Sequence, residues 1–176
     1  MIRNSDIQYR SPAAIRTFQE EQLRETIGYV AEHSQYYRTL FAEAGVDPRD
    51  IRVIDDLQRL PVTTKQELQL RNEEFLCVSR RKVVDYVTTS GTLGDPVTFA
   101  LTEADLDRLA YNEMLSFTTA GCTSDDILQL MVTLDRRFMA GLAYFLGARK
   151  LGCGVTRVGN GIPELQWDTI RRIAPT

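Results

Sequence analysis

A run of nine residues, 88–96, concentrates hydroxyl groups and glycines between two candidate strands. Gly91 and Gly94 tolerate positive φ and carry no Cβ, so backbone N–H groups around them can converge on an anion. The flanking hydroxyls that can donate further hydrogen bonds are those of Thr88, Thr89, Ser90 and Thr92. These residue types and their spacing predict a loop that wraps a polyphosphate.

A Gly/Thr/Ser stretch between strands is also a common hairpin turn, and that alternative stays open. The loop is not of the Walker type, because no Gly-Lys-Ser/Thr ending follows and a strand rather than a helix comes next. Two other glycine pairs, at 152–154 and 159–161, are too short and misplaced for a dinucleotide fingerprint.

The elements that must position this loop alternate in a pattern typical of an α/β protein. The first 75 residues show little strand signal, and their apolar spacing, the reciprocal cap of Thr64 with Glu67 and the glycine stop at Gly45 predict helices. A similar N-cap, Thr102 with Asp105, opens a later helix. We expect helices at 13–31, 35–44, 54–59, 65–71, 102–120, 138–151 and 163–173. Strands are expected at 82–88 and 97–101, on either side of the loop, and at 127–133 and 154–158. The predicted order is a helical N-terminal segment, a β-hairpin carrying the loop, and then β-α-β-α.

A chain of 176 residues fits one domain with a substantial core. We divide it into a mainly helical segment (1–75), the loop hairpin with its helix (76–120) and the β-α-β-α segment (121–176). The last helix ends where a further buried strand is expected, so we interpret the whole as a single partial domain.

The net charge of -3, from 21 basic and 24 acidic residues, gives no long-range attraction for nucleic acid or for an anionic membrane surface. No apolar run approaches the roughly 20 residues that span a bilayer, and the N-terminus lacks the apolar core of a signal peptide. We therefore expect no nucleic acid partner, no membrane partner and a cytoplasmic location.

Cys77, Cys122 and Cys153 are odd in number and widely spaced, which suits neither a disulfide framework nor a zinc site. We expect reduced structural thiols and no metal held by side chains. His33, the single histidine, falls at a predicted helix end, where a surface role is favoured over catalysis.

The segment 89–96 resembles the phosphate loop of the adenylate-forming acyl-CoA ligases, T-S-G-T-T-G-x-P. Further stretches resemble the phenylacetate-CoA ligase branch, namely 36–41, 44–46, 54–65 and 141–152. The resemblance covers nearly the whole chain but only the N-terminal part of the family's architecture. It implies an incomplete part of the large N-terminal domain of an adenylate-forming enzyme, which alone would not turn over.

For the complete protein, the resemblance implies that an aryl or other carboxylic acid attacks the α-phosphorus of ATP and that coenzyme A (CoA) then takes the acyl group. ATP, Mg2+ and CoA are the implied cofactors, and a homodimer or a complementing downstream polypeptide is the protein partner considered. The catalytic residues are expected outside this chain. The implied direct phosphate contacts are Ser90, Gly91, Thr92 and Gly94, with Thr88 and Thr89 in support.

Two loop residues depart from the family pattern. Leu93 stands where a hydroxyl residue is common, and Asp95 stands where many members carry lysine. At about 5 Å and an effective dielectric near 20, one like-charge pair costs on the order of 3 kcal/mol unless Asp95 points outward. The departures predict weaker nucleotide binding.

Residues 135–138, Asp-Arg-Arg-Phe, fall where the phenylacetate branch shapes its acyl pocket with glycines and aromatics. Phe138 fits that role and is the predicted pocket residue. Its charged neighbours leave two interpretations open, a more polar acyl substrate or a solvated helix start, and charge runs usually face water.

Two alternatives to a CoA ligase remain at this point. The acyl group is delivered to a protein thiol, as in the related acyl-protein synthetases, or the chain is a non-catalytic remnant or binding subunit in which the loop survives only as a turn.

Overall fold

A computed structural model describes residues 6–89, 91 and 95–176 of the chain. Its helices are α1 (Pro12–His33), α2 (Gln35–Ala44), α3 (Lys65–Leu70), α4 (Glu103–Thr119), α5 (Met139–Leu151) and α6 (Pro163–Ile173). Its strands are β1 (Val83–Thr88), β2 (Thr98–Thr102), β3 (Ile127–Leu130) and β4 (Gly154–Arg157). The predicted α/β class and order of elements are confirmed. Among the described helices, none combines the length and the apolar character needed to cross a bilayer.

Contacts between Cα atoms divide the chain into two compact units, Met1–Arg81 and Lys82–Thr176. The first contains α1 to α3 and several short 3-10 turns, and the second contains the four strands and α4 to α6. The interpretation of the chain as one partial domain in three parts stays a prediction.

The core of the first unit forms where α1, α2 and the following turn bring apolar faces together. Ile27, Phe41 and Ile51 are buried there. The partly buried side chains packed against them are Leu23, Val30, Ala31, Tyr37, Val46 and Leu60. Each fully buried large apolar side chain contributes roughly 1.5–3 kcal/mol, so this cluster supplies much of the unit's stability.

Ser34 forms the corner between α1 and α2, because it is both the C-cap of α1 and the N-cap of α2. It is fully buried, and its hydroxyl accepts the N–H of Tyr37 at 3.3 Å and donates to the carbonyl of Glu74 at 2.9 Å. The corner is thereby bonded to a residue 40 positions further along the same unit.

Tyr36 connects α2 to α3 within the first unit. Its hydroxyl donates to Glu67 at 2.8 Å, and its ring stacks on Phe75 with centroids 3.9 Å apart. Burial raises the pKa of Tyr36. Hydrogen bonds to the Glu67 carboxylate lower its pKa, with the Thr64 hydroxyl as the largest cause and the Thr64 N–H and the Tyr36 hydroxyl as smaller ones. The reciprocal cap predicted for Thr64 and Glu67 is confirmed.

In the second unit, β1 and β2 pair antiparallel and β3 and β4 pair parallel, with α5 as the connection between the parallel strands. The strand predicted at 127–133 is shorter than expected and ends at Leu130. The Leu130 carbonyl accepts the N–H groups of both Val158 and Gly159, at 3.1 and 3.2 Å, where the pairing ends.

Helix α5 packs so closely that two of its positions leave no room for a side chain. A Cβ at Gly147 would lie 2.3 Å from the Cβ of Glu113 on α4, and a Cβ at Gly141 would lie 1.8 Å from the Thr133 carbonyl oxygen. These glycines allow backbone to approach backbone, which places the chain segment after β3 against the start of α5.

Candidate functional site

The β1–β2 hairpin closes the base of the predicted phosphate loop. Thr88 pairs with Thr98, and beyond that pair the Thr89 N–H donates to the Val97 carbonyl at 3.0 Å. The Val97 N–H donates in turn to the Thr89 hydroxyl oxygen at 2.9 Å. Thr89 and Val97 therefore form a closed neck between the two strands, in agreement with the predicted hairpin.

Three of the six predicted contact residues lie within the described part of the chain, Thr88, Thr89 and Gly91. Ser90, Thr92 and Gly94 lie outside the described residues, as does Leu93. Gly91 has φ +70°, in the left-handed region that favours glycine. Left-handed residues of this kind occur in the turns whose N–H groups form anion-binding concavities.

The main-chain donors of Thr88 and Thr89 are already used within the protein. Thr88 N–H donates to the Arg137 carbonyl at 3.0 Å, and Thr89 N–H belongs to the neck. Of their hydrogen-bond donors, these two residues can therefore offer an anion only their hydroxyls, and their supporting role stays a prediction. Asp95 is exposed, and solvent screening reduces its repulsion of an anion.

The segment that accepts the Thr88 hydrogen bond has an uncommon backbone. Arg136 and Arg137 have φ of 58° and 60°, in the left-handed region that costs an L-residue roughly 1–2 kcal/mol. The sequence alone suggested a helix start at 138, and α5 begins at Met139 with Phe138 as its cap. The two arginines are thus held before the helix in a strained turn.

Local contacts hold this turn in place. The Thr133 hydroxyl donates to the Asp135 carboxylate, and the Phe138 N–H donates to the Asp135 carbonyl at 3.1 Å. Gly141 packs directly on Thr133 from the other side. The turn is consequently part of the rigid frame next to the loop neck.

A cleft of about 390 Å³ lies between residues 133–136 and residues 157–160, and we call it the strand-end cleft. Both lining segments follow the carboxyl ends of the parallel strands β3 and β4, where ligands bind in open α/β sheets. Its volume falls within the roughly 300–1,000 Å³ of small-molecule sites.

Hydrogen bonds from α6 hold residues 157–160, which form one side of the strand-end cleft. Gln166 on α6 donates its Nε2 to the Gly159 carbonyl at 2.7 Å, and Gln129 on β3 donates to the Oε1 of Gln166 at 2.8 Å. Together with the hydrogen bonds to Leu130, these contacts fix the positions of residues 158 and 159.

Positive charge predominates in the strand-end cleft. Arg136 and Arg157 line it, and Asp135 is the acidic residue among the lining residues. Asp135 lies 3.9 Å from the Nε of Arg136, and the Arg157 guanidinium lies 5.2 Å from the centroid of the Phe145 ring. Sequence reasoning missed this site, although Gly159 and Gly161 directly after β4 were a signal for it.

Phe138 caps α5 with 42% of its surface exposed and is not among the residues lining the strand-end cleft. Its assignment to an acyl pocket stays a prediction. Burial raises the pKa of the Cys77 and Cys153 thiols, which suits the structural role expected for them. In the part of the chain that the structure describes, no three His, Cys, Asp or Glu side chains gather as a metal site.

No protein-family model matches the chain. It is 35% identical over 162 residues to the phenylacetate-coenzyme A ligase of Thermus thermophilus, covering 92% of this chain and 36% of that enzyme. It is 32% identical over 180 residues to the phenylacetate-coenzyme A ligase of Escherichia coli, covering 99% of this chain and 41% of that enzyme. The chain thus spans about two fifths or less of the length of these curated relatives.

Among solved structures, the chain is similar to 2-hydroxyisobutyryl-CoA ligase in an open conformation, in complex with 2-HIB-AMP and CoA. The TM-score is 0.82 at 21% identity, covering 93% of this chain and 36% of that one. The same ligase in the thioesterification state gives a TM-score of 0.80 at 23% identity, covering 92% and 35%. These likenesses establish the fold, and the sequence similarities show that the chain matches the N-terminal portion of phenylacetate-coenzyme A ligases.

Proposed function

We propose that the complete protein is an ATP-dependent ligase that activates a carboxylic acid as its acyl-adenylate and transfers the acyl group to CoA. The observation that carries this proposal is the similarity of nearly the whole chain to four curated phenylacetate-coenzyme A ligases, at 31–35% identity. The binding of 2-HIB-AMP and CoA by a protein of the same fold supports it further.

In this proposal the hairpin loop holds the β- and γ-phosphates of ATP. The neck at Thr89 and Val97 fixes where the loop begins and ends, and Gly91 turns its backbone in the left-handed sense. Donors that are held in place before the reaction stabilise the negative charge that grows on the departing pyrophosphate without reorganisation. The chain thereby positions the leaving group and supplies no nucleophile.

Magnesium is part of the same proposal. Mg2+ in nucleotide sites is commonly held by one or two carboxylates together with phosphate oxygens. The loop fits this arrangement because its hydroxyls and amides contact phosphate and leave the metal to the phosphate oxygens. A homodimer, or pairing with a downstream polypeptide, and the cytoplasmic location also belong to the proposal. Sedimentation of the gene product would test its association.

The experiment is acid-dependent exchange of labelled pyrophosphate into ATP, catalysed by the complete gene product, with aryl, fatty and dicarboxylic acids as substrates. We expect exchange with at least one acid and CoA thioester formation when CoA is added. Complete silence across the acids would contradict the proposal. Acyl transfer to a carrier-protein thiol in preference to CoA would replace the acceptor but keep the first half-reaction.

The loop itself is tested with Ser90→Ala and Gly94→Val in the same assay. Each is expected to raise the KM for ATP about tenfold, Ser90→Ala by removing one hydrogen bond to a charged phosphate and Gly94→Val by adding a side chain where backbone must approach it. Ser116→Ala on α4 is the matched control, because the Ser116 hydroxyl bonds only its own helix at Asn112. If calorimetry finds no ATP binding even by the unmodified protein, the loop is only a turn.

A further inference from the structure

The strand-end cleft carries more positive charge than an apolar acyl chain needs. Its lining contains two arginines, Arg136 and Arg157, and one carboxylate residue, Asp135. Asp135 also accepts the Thr133 hydroxyl, so part of its hydrogen-bonding capacity is already used. The balance is close to one net positive charge, together with the side-chain amide of Asn160.

Both arginines stand on backbone that the fold holds in place. Arg136 belongs to the left-handed turn that Gly141 and the Thr88 N–H hold, and its side chain extends from there into solvent. Arg157 ends β4, and its guanidinium lies over the Phe145 ring, which restricts its rotamers. The planar guanidinium matches a carboxylate in a bidentate manner, and Arg157 loses less conformational entropy than Arg136 on binding one.

The turn with Arg136 is adjacent to the phosphate loop. The Arg137 carbonyl accepts the N–H of Thr88, the residue directly before the neck of that loop. A ligand in the strand-end cleft is therefore next to the element proposed to hold the ATP phosphates.

We propose that the strand-end cleft binds the far end of the acid to be activated and that this end is a second carboxylate. The substrate class would then be a dicarboxylic acid with one end activated and the other held by Arg136 and Arg157. This inference rests on the proposed function. A polyphosphate suits the cleft less well, since Asp135 repels each added negative charge.

The test is NMR titration of the isotope-labelled full chain, without nucleotide, using glutarate, 1-pentanol and inorganic phosphate as separate probes. Glutarate is expected to bind about tenfold more tightly than 1-pentanol, because only glutarate brings a carboxylate to Arg136 and Arg157. Its amide shift changes should centre on 133–136 and 157–160. Equal affinity for glutarate and 1-pentanol, or for glutarate and phosphate, would overturn the proposal.

Variants assign the effect to the two arginines. Arg136→Gln and Arg157→Gln are each expected to weaken glutarate about tenfold, whereas Arg157→Lys keeps the charge and should recover part of the loss. Arg171→Gln is the matched control, since Arg171 is an exposed arginine on α6 outside the cleft. Unchanged glutarate affinity in both cleft variants, with unaltered circular dichroism, would refute the assignment.

The outcome separates this inference from the proposed function. If the gene product exchanges pyrophosphate with monocarboxylic acids and the chain fails to bind glutarate, only the dicarboxylate inference falls. If glutarate binds at the cleft but no acid supports exchange, the ligase proposal falls and the binding site remains.

Discussion

The two units of the chain are stabilised in different ways. The unit 1–81 is built from side chains that fill a core and from capped helix ends, with Ile27, Phe41 and the corner at Ser34 as examples. The unit 82–176 depends on backbone contacts, in which Gly141 and Gly147 let α5 approach its neighbours and the turn at 136–137 is held in a strained conformation.

This difference coincides with the position of the candidate site. Strain and close backbone approach occur in the unit that contains both the predicted phosphate loop and the strand-end cleft, whereas the helical unit shows low-energy helix caps. Strained residues at binding sites are common, because the surrounding structure must hold groups where a ligand needs them. Substitutions should therefore act through different mechanisms in the two units.

The largest contrast is expected from adding the same methyl group in each unit. Gly141→Ala should destabilise the chain by roughly 3 kcal/mol, because its Cβ would meet the Thr133 backbone. Gly28→Ala on α1 meets nothing within 4 Å and should stabilise by about 1 kcal/mol through helix propensity. Urea denaturation of both variants measures the change in the free energy of unfolding. Changes of the same sign in the two variants would contradict the proposed difference between the units.

Ser34→Ala tests whether the helical unit depends on its corner. The variant loses the cap of α2 and leaves the partly buried Glu74 carbonyl without its Ser34 donor, so a cost of about 2 kcal/mol is expected. Ser11→Ala removes the exposed cap of α1 and should cost about half as much. Equal losses of denaturation midpoint would show that burial of the corner adds nothing.

Relieving the strained turn should raise stability. Arg137→Gly is expected to stabilise the chain by about 0.5–1 kcal/mol, because glycine adopts left-handed φ without the Cβ clash. The greater conformational freedom of glycine in the unfolded state offsets part of this gain. Ala174→Gly, at φ 51° after α6, is the matched control with the same expected sign. Thermal denaturation decides, and a loss of stability in Arg137→Gly alone would mean that its side chain has a structural role.

The smallest effect concerns a surface charge of the helical unit. Hydrogen bonds from Arg49 lower the pKa of Asp47 from 3.8 to about 2. A depressed folded-state pKa stabilises the protein above the unfolded value, and that contribution is lost as pH falls from about 4 through about 2. Asp47→Asn keeps a capping side chain, so its melting temperature should lie below that of the unmodified chain at pH 7 and match it near pH 2. A difference in melting temperature that is the same at pH 7 and near pH 2 would exclude the Asp47 charge as its cause.

Local sequence signals predicted most of the elements. The capping pairs at Thr64 and Thr102 each involve a partner three residues away, and the structure has both. The glycine stop at Gly45 and the strands on either side of the loop were also predicted correctly. These features depend on neighbouring residues, which is why one sequence is enough to recognise them.

The features that shape the candidate site depend on distant residues and could not be predicted in this way. Thr88 and Arg137 are separated by 49 positions, and nothing local signals their hydrogen bond. Left-handed φ is rare for arginine, so propensity pointed to a helix start at the turn. The strand-end cleft appears only when β3 and β4 pair and bring Arg136 near the end of β4.

The single-residue corner at Ser34 makes the spacing between α1 and α2 intolerant of length changes. One inserted residue would rotate α2 by about 100° around its own axis and turn Tyr36 and Phe41 out of the interior. Homologous proteins that differ in length should therefore place their insertions elsewhere, and this junction is a fixed reference for aligning distant members of the family.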